Sequence, residues 1–329
     1  MEATSNYKPN QFSCYASLVT VPIFTTQDNP YPKVFIAAHD EFLRAFPEEE
    51  RIRISKTPHI VQKLFPSVSS WNSIVAMACW LSYSLAFTSR LRTATKNSTL
   101  YGLLEILKIF HENGPILEDG QMSSHAGGVW SQSAMLRDFM ISLLPLEIVR
   151  VVFRRIREVI MAYIEEHLFS SPGSYILKDY LVIRCKTIGL EPCFAILGLD
   201  TAHIPLKTSD FLLDHLKTLV NIAIVLQSDL AGLQRDIDHV DSKNIILAPS
   251  RSERKATGSR KREIHDYFGE IMGTIWHHNR AHSLAIRFLE KIEKIGSLKE
   301  KQQARVLYKL FGTHWHWRYQ QEDSIHVPK

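Results

Sequence analysis

The sequence contains little glycine, proline or cysteine for its length. Its 329 residues include 14 glycines and 14 prolines, too few for a collagen-like or low-complexity chain. The four cysteines form no C-x-x-C pair, so neither a disulfide framework nor a zinc site is indicated, and a reducing, cytoplasmic location is expected. Hydrophobic residues make up 45% of the chain and charged residues 22%, which excludes a disordered protein.

Charge of one sign and long apolar runs are also scarce. A net charge of +5 over the whole chain gives no argument for a nucleic-acid partner. The longest uncharged stretch runs through residues 74–89, and this apolar part of it is shorter than the roughly 20 residues that a bilayer requires and carries several hydroxyl groups. No basic segment followed by an apolar run starts the chain, so no signal peptide is expected. We expect a soluble protein without a membrane span.

Helical periodicity extends through almost all of the chain after residue 35. Residues 1–35 are rich in Pro and Asn and have no period, which indicates an N-terminal arm or strap. Helical patterns occupy residues 39–46, 58–64, 71–91, 98–112, 146–169, 175–187, 210–240, 264–295 and 299–310. Residues 113–128 contain the Gly and Pro of a loop. The pattern predicts a single all-α domain over residues 36–329.

The segment 221–244 places several chemistry-bearing residues on one helix face. At about 100° per residue, Ser228, Gly232 and Asp236 fall within an arc of about 80°, and Arg235 lies beside Ser228. Hydroxyl and carboxylate oxygens suit a hard cation such as Mg²⁺, and a guanidinium group suits a phosphate oxygen. A solvated helix face that carries an Asp–Arg pair explains the same residues.

The same segment resembles the second metal motif of the class I terpene synthases, (N/D)-D-(L/I/V)-x-(S/T)-x-x-x-E. Residues 228–236 read SDLAGLQRD, and Asp241 and Asn244 keep the offsets of the tail that follows this motif. The resemblance implies an all-α class I terpenoid synthase bundle around a central apolar cavity. It implies Mg²⁺ ligands at three positions: Ser228, Asp229 and Asp236.

Two further segments resemble the parts of this family that bind the substrate diphosphate. Residues 180–189, YLVIRCKTIG, resemble Y-x-x-x-R-x-x-T-x-G, in which the Arg senses diphosphate and the next turn breaks a helix. Arg318 and Tyr319 resemble the family's closing Arg-Tyr pair. The resemblance thus implies a diphosphate cradle of four groups: Arg184, Arg235, Arg318 and Tyr319. Asp236, Arg184 and Arg235 are the implied catalytic residues.

The first metal motif of the family, Asp-Asp-x-x-Asp, is missing. Its three carboxylate positions hold Thr88, Ser89 and Arg92, and no carboxylate occurs between Arg53 and Glu105. The second motif is weakened as well, by the hydroxyl at its first ligand, the glycine at its middle position and the shorter Asp at its end. We therefore expect fewer than three Mg²⁺ ions. Aromatic side chains are expected to line the cavity: Tyr83, Phe87 and Trp276.

The resemblance implies a divergent, fungal-type sesquiterpene cyclase of secondary metabolism. The expected reaction is that of a carbon–oxygen lyase: ionisation of an acyclic prenyl diphosphate, most readily farnesyl diphosphate, followed by cyclisation. One alternative is capture of the cation by an external nucleophile, with C–N or C–O bond formation. A second alternative is a non-catalytic isoprenoid-binding protein. A monomer or homodimer is expected. The pairs His277-His278 and His314-x-His316 lack a third metal ligand and are interpreted as surface or packing residues.

Overall fold

The computed structural model describes residues 13–22, 33–93, 96–111, 127–168, 177–198, 208–238, 244–247 and 264–325, with the side chains of some helix-end residues left out. Helices dominate these ranges, and no strand occurs in them, as the sequence predicts. In chain order the helices are α1 (Ser13–Ala16), α2 (Lys33–Leu43), α3 (Glu48–Ile54), α4 (Thr57–Leu64), α5 (Trp71–Thr93), α6 (Lys96–Ile109), α7 (Gly127–Leu143), α8 (Leu146–Leu168), α9 (Leu177–Thr187), α10 (Glu191–Ile196), α11 (Thr208–Ala231), α12 (Leu233–Asp238), α13 (Phe268–Ile295) and α14 (Leu298–Ile325), with a 3₁₀ turn at Ile264–Tyr267 before α13.

The chain divides into two compact units. The first unit comprises Thr25–Ser171 and Val182–Lys207. The second comprises Met1–Phe24, Pro172–Leu181 and Thr208–Lys329. This division falls at other points of the chain than the boundary predicted at residue 35, and the predicted arm and single domain stay predictions.

Helix α5 is the central helix of the first unit. Every residue from Ile74 to Trp80 is buried, because this helix is apolar on all sides and packs against α2, α3, α4, α7 and α10. Two helical stretches, Trp71–Leu91 and Phe211–Ala231, are long and apolar enough to cross a membrane. Their most apolar windows are 61% and 67% buried inside the protein, which is typical of core helices, and such helices are weak evidence for a membrane protein.

A buried polar cluster joins three helices of the first unit. The Nε2 atom of His39 lies 2.9 Å from Ser82 Oγ and 3.1 Å from Thr57 Oγ1, and Thr57 donates to the Ile54 carbonyl at 2.7 Å. Burial lowers the pKa of His39 to about 4, so its imidazole is neutral at pH 7. The cluster fixes α2 and α4 on α5 by satisfying polar groups inside the core.

The helix break after residue 187 is confirmed. Helix α9 ends at Thr187 and α10 begins at Glu191, with Gly189 between them at φ 77°. Trp80 Nε1 donates to the Gly189 carbonyl at 2.7 Å, and Tyr163 Oη donates to the Thr187 carbonyl at 2.9 Å. Side chains of α5 and α8 therefore hold the backbone of the break from two sides.

Helix α11 organises the second unit by packing against both α13 and α14. Val19, close to the N-terminus, is buried in the same core cluster as Leu226 of α11. Two bonds to Asn279 of α13 secure this segment: the backbone N–H of Thr20 donates to Oδ1 at 2.9 Å, and Nδ2 donates to the Leu18 carbonyl at 2.8 Å. The described part of the predicted arm is thus bonded to α13.

Several helices differ from the sequence prediction: α7 was not predicted, α2 begins at Lys33 inside the predicted arm, and α14 continues to Ile325. Gly127 and Gly128, assigned to a loop, begin α7, because glycine is tolerated in a first turn and the buried Leu136 and Met140 supply the packing. The predicted helix over residues 210–240 is divided at Gly232 into α11 and α12. Helices α3 and α10 were not predicted because each is too short to show a period.

We expect Gly189→Ala to destabilise the protein by about 1–2 kcal/mol, because a β-carbon disfavours the left-handed conformation. The new atom would also meet Ser84 Oγ at 3.4 Å and Trp80 at 3.5 Å. The matched control is Gly102→Ala, inside α6 with open space around it, which should add about 0.5–1 kcal/mol of stability. Urea unfolding of both variants measures the difference in stability, and equal effects would contradict the left-handed conformation of Gly189.

Candidate functional site

The carboxylate of Asp236 lies where α11 gives way to α12. Arg235 donates to its Oδ1 from Nε at 3.2 Å and from Nη2 at 3.1 Å, and Asn244 Nδ2 donates to its Oδ2 at 3.0 Å. Asp236 is buried, at 8% exposure. A carboxylate accepts about four hydrogen bonds, so these contacts leave capacity for a cation.

Gly232 leaves room for this arrangement. A β-carbon at Gly232 would lie 2.7 Å from Arg235 Nη2 and 3.2 Å from Asp236 Oδ2. The guanidinium of Arg235 therefore approaches the position at which the family motif carries a hydroxyl side chain. The glycine leaves space for the guanidinium that pairs with Asp236, and a hydroxyl side chain at position 232 would occupy that space.

Asp229 and Asn244 fix the segment that follows α12. Asp229 Oδ2 accepts the backbone N–H of Ile245 at 3.0 Å, and Asn244 Nδ2 donates to the Asp229 carbonyl at 2.6 Å. Asn244 Oδ1 accepts the backbone N–H of Ile246 at 3.0 Å. Asp229 thus anchors backbone here, and its predicted assistance to a metal ion stays a prediction. Asp241 lies outside the described residues.

Ser228 contacts a buried network of side chains from three helices. Its Oγ lies 3.5 Å from His314 Nε2, the upper limit for a hydrogen bond, and His314 Nδ1 lies 2.7 Å from Gln227 Oε1. Gln227 Nε2 donates to the Phe311 carbonyl at 3.0 Å and lies 2.9 Å from His278 Nε2. Gln227 and His278 are fully buried, and Ser228 and His314 are at most 5% exposed.

Both histidines of this network are neutral at pH 7. Burial is the main cause that lowers the pKa of His278 to about 4. Burial, and then the nearby positive charge of Arg318, hold the pKa of His314 well below its usual value. Arg318 itself is half-buried and its guanidinium lies 5.3 Å from the centre of the Trp317 ring. Tyr319 belongs to α14, but its side chain lies outside the described part of the chain.

A pocket of about 380 Å³ lies elsewhere in the second unit. Its wall on α11 consists of Leu219, Ile222 and Leu226, and Leu226 points about 160° away from Ser228 around the helix. This wall of the pocket therefore faces away from Ser228, while Ile245, whose backbone N–H bonds Asp229, also lines the pocket. Trp276 does not line it.

Arg184 belongs to the first unit, at the end of α9. Its Nη1 donates to Thr187 Oγ1 at 3.5 Å, and Thr187 Oγ1 donates to Glu166 Oε1 at 3.2 Å. Glu166 and Thr187 are buried, whereas Arg184 is half-buried. Thus the predicted diphosphate sensor sits directly before the Gly189 break, as the resemblance implies.

The end of α5, where the family carries its first metal motif, makes structural contacts instead. Thr88 Oγ1 donates to the Ser84 carbonyl of its own helix at 2.9 Å. Ser89 Oγ accepts from Arg53 at 3.1 Å, and Arg90 forms a two-bond ion pair with Glu50, at 2.8 Å each. These contacts tie α5 to α3. The side chain of Arg92 lies outside the described residues.

The predicted cavity aromatics differ in their exposure. Tyr83 and Phe87 are buried and stacked with ring centres 5.5 Å apart, and Tyr83 Oη is 2.8 Å from Ser133 Oγ. Burial raises the pKa of Tyr83. Trp276 is 55% exposed with Arg280 stacked 5.3 Å from its ring centre, so the expected closed cavity wall at Trp276 is not found. Helical spacing alone does not tell an inward from an outward aromatic residue.

The candidate site offers oxygen ligands of the kind that a magnesium ion takes, and the expected number of ions stays a prediction. Among the described residues, no group of three His, Cys, Asp or Glu side chains is placed to hold a metal. Mg²⁺ commonly takes one or two carboxylates and fills its shell with water and substrate phosphate. The Asp236 carboxylate and the Ser228 hydroxyl suit that pattern.

Comparison with known proteins gives matches only at the level of structure. No protein-family model and no curated protein matches the chain. Linalool/nerolidol synthase from Streptomyces clavuligerus is 15% identical, with a TM-score of 0.60 over 91% of this chain and 98% of that one. Hedycaryol synthase is 14% identical, with a TM-score of 0.61 over 93% and 99%. α-Eudesmol synthase is 13% identical, with a TM-score of 0.64 over 94% and 99%.

The chain has the class I terpene synthase fold. This confirms the predicted all-α class I architecture. Within the second unit, the fold brings Arg235 to Asp236 and Ser228 to His314. Because Arg184 belongs to the other unit, convergence of the three predicted arginines stays a prediction.

Sequence reasoning missed the residues that surround Ser228 in this terpene synthase fold. His278 and His314 were interpreted as surface or packing residues, but they belong to a buried polar network centred on Gln227. The available signal was a glutamine directly before the motif, after the apolar run Ile222–Leu226. A polar residue in such a place requires buried partners, although its identity does not name them.

We expect Asn244→Ala to lower the free energy of unfolding by about 1–3 kcal/mol, because it leaves buried groups without partners. At pH 8, Asn244→Asp should lower the free energy of unfolding more than Asn244→Ala does, since it places a second carboxylate against Asp236. Urea unfolding in EDTA measures both effects, and the control is Gln234→Ala, at a half-buried residue of α12 that donates to Asp238 at 3.3 Å. An Asp variant as stable as the wild type would contradict the described contacts.

Proposed function

We propose that this protein is a terpene cyclase that ionises an acyclic prenyl diphosphate with the help of Mg²⁺ and cyclises the resulting cation. Farnesyl diphosphate is the preferred substrate in this proposal. The observation that carries it is the Asp236 carboxylate held between Arg235 and Asn244, in a fold shared with three terpene synthases. In the proposal the protein is a carbon–oxygen lyase with non-standard metal motifs.

The proposed reaction begins with heterolysis of the bond between C1 and the diphosphate oxygen, whose two electrons leave with diphosphate. Asp236 and Ser228 would hold Mg²⁺, which supplies positive charge to the leaving group when bound. Arg184, Arg235 and Arg318 would donate charge-assisted hydrogen bonds that strengthen as negative charge grows on diphosphate. A distal double bond of the chain then attacks the allylic cation, and loss of a proton ends the sequence.

A second candidate function ends the reaction differently. The cation would be captured by an amine or by water, forming a C–N or C–O bond with loss of the nucleophile's proton. The observation that favours it is the end of α5, which carries no carboxylate of its own and whose Thr88 and Ser89 make structural contacts. In this candidate function, the second substrate would take the place that the metal ions of the first motif have in the family.

The deciding experiment incubates the purified protein with Mg²⁺ and geranyl, farnesyl or geranylgeranyl diphosphate. Diphosphate release is measured together with mass spectrometry of the products, with and without an added amine. We expect release and cyclic hydrocarbons, with both lost in Asp236→Ala. Asp238→Ala, two residues further on and exposed, is the matched control and should keep activity. Adducts only in the presence of the amine would favour the second candidate, and binding without release would indicate a non-catalytic protein.

We further expect Arg184→Ala, Arg235→Ala and Arg318→Ala each to lower kcat/KM by roughly ten- to a hundredfold, since each removes a charge-assisted bond to the leaving group. Lys variants should recover part of the loss, because a point charge lacks the guanidinium's paired donors. Arg305→Ala, at an exposed ion pair with Glu293, is the control. Full activity in all three Ala variants would refute the proposed cradle.

A further inference from the structure

The hydrogen-bond network around Ser228 has only one consistent arrangement of protons, and two backbone carbonyls set it. Gln227 Nε2 faces the Phe311 carbonyl, which only accepts, so this atom is the amide nitrogen and Oε1 faces His314. At the other end, Asn279 Nδ2 faces the Leu18 carbonyl, which fixes that amide in the same way.

The tautomers of both histidines follow from these two amides. The Gln227 Oε1 atom accepts, so His314 carries its proton on Nδ1, at 2.7 Å, and its Nε2 presents a lone pair to Ser228. Gln227 Nε2 donates to His278 Nε2, so His278 also carries its proton on Nδ1 and donates to Asn279 Oδ1 at 3.1 Å. Each buried group in this network has a partner of the opposite kind.

We propose that this network leaves the Ser228 Oγ atom only its lone pairs to offer to a cation. His314 is the positioning residue, because its Nε2 atom accepts the hydrogen bond that the Ser228 hydroxyl donates. The inference rests on the proposed function, because it concerns Ser228 as a ligand of the catalytic Mg²⁺. A hydroxyl group that turns its proton toward a cation is repelled by it. With the proton bonded to His314 Nε2, the remaining lone pairs of Oγ are the only part of the group that a cation can meet.

This role explains how a serine serves where the family motif carries Asn or Asp. An amide or carboxylate oxygen accepts in every orientation, whereas a hydroxyl does so only when its proton has another acceptor. His314 supplies that acceptor from the adjacent helix α14. Gln227, the neighbour of Ser228 on α11, holds the imidazole in the required tautomer.

The test compares His314→Asn with His282→Asn. The amide of Asn in His314→Asn corresponds in position to the Nδ1 and Cδ2 atoms of the imidazole, so the change keeps a donor for Gln227 but leaves no acceptor at the position of Nε2, which contacts Ser228. His282 is as buried as His314 and contacts Tyr308 Oη at 3.2 Å, so its variant controls for the loss of a buried histidine. Isothermal titration of Mg²⁺ into protein saturated with inorganic diphosphate should show a roughly ten- to hundredfold loss of Mg²⁺ affinity in His314→Asn and no such loss in His282→Asn.

A double-mutant cycle with Ser228→Ala separates positioning from general damage. If His314 acts through Ser228, His314→Asn should weaken Mg²⁺ binding in the wild-type background and cause no further loss of affinity in the Ser228→Ala background. Ser228→Asn, which supplies an amide oxygen, should restore affinity when it is combined with His314→Asn. Nitrogen-15 spectra of histidine-labelled protein should show the Nδ1-protonated tautomer for His314, assigned by the signal lost in His314→Asn.

The outcomes distinguish this inference from the proposed function. Equal loss of affinity in the wild-type and Ser228→Ala backgrounds, no loss in either, or an Nε2-protonated His314 would overturn the positioning role and leave the proposed function standing. Failure of the wild-type protein to bind Mg²⁺ with diphosphate would overturn both.

Discussion

The second unit depends on one buried amide, that of Gln227. Its oxygen and nitrogen contact His314 and the Phe311 carbonyl on α14 and His278 on α13, so one side chain of α11 bonds both of its neighbouring helices. A fully buried amide is costly unless its donors and acceptor are satisfied. The three helices are therefore held in one register, and Ser228, next along α11, is held with them.

The two segments that correspond to the metal motifs of the family differ in their contacts. On α11 and α12, Asp236 and Arg235 form a compact charged pair that Asn244 completes. At the end of α5, the corresponding positions have become part of the connection to α3, through Ser89 and the neighbouring ion pair of Arg90. The two segments thus differ in charge: a carboxylate lies at the α11–α12 junction, whereas hydroxyl and guanidinium groups of α5 make the contacts described for its end.

The features that could be predicted from the sequence are those that depend on a local sequence pattern. Most of the long helices were predicted because their apolar residues repeat along the chain, but α7 and the last part of α14 were not. The break at Gly189 was predicted because a family motif ends there. Helix α3 was missed since it is short, and the division at Gly232 because the apolar pattern runs through it unchanged. The network around Ser228 was not predictable, because Gln227 is 51 residues from His278 and 87 from His314. Trp276 shows the same limit, since its exposure depends on what packs around α13.

The bonds between Thr20, Leu18 and Asn279 connect residues about 260 positions apart in the chain. The first unit needs nothing beyond residue 207, whereas the second is assembled from three separated stretches, of which the last begins at Thr208. During synthesis the first unit has all of its residues long before Asn279 leaves the ribosome. Leu18 and Thr20 must therefore stay without these partners until Asn279 has been made, and closure of the second unit is a non-local step of folding.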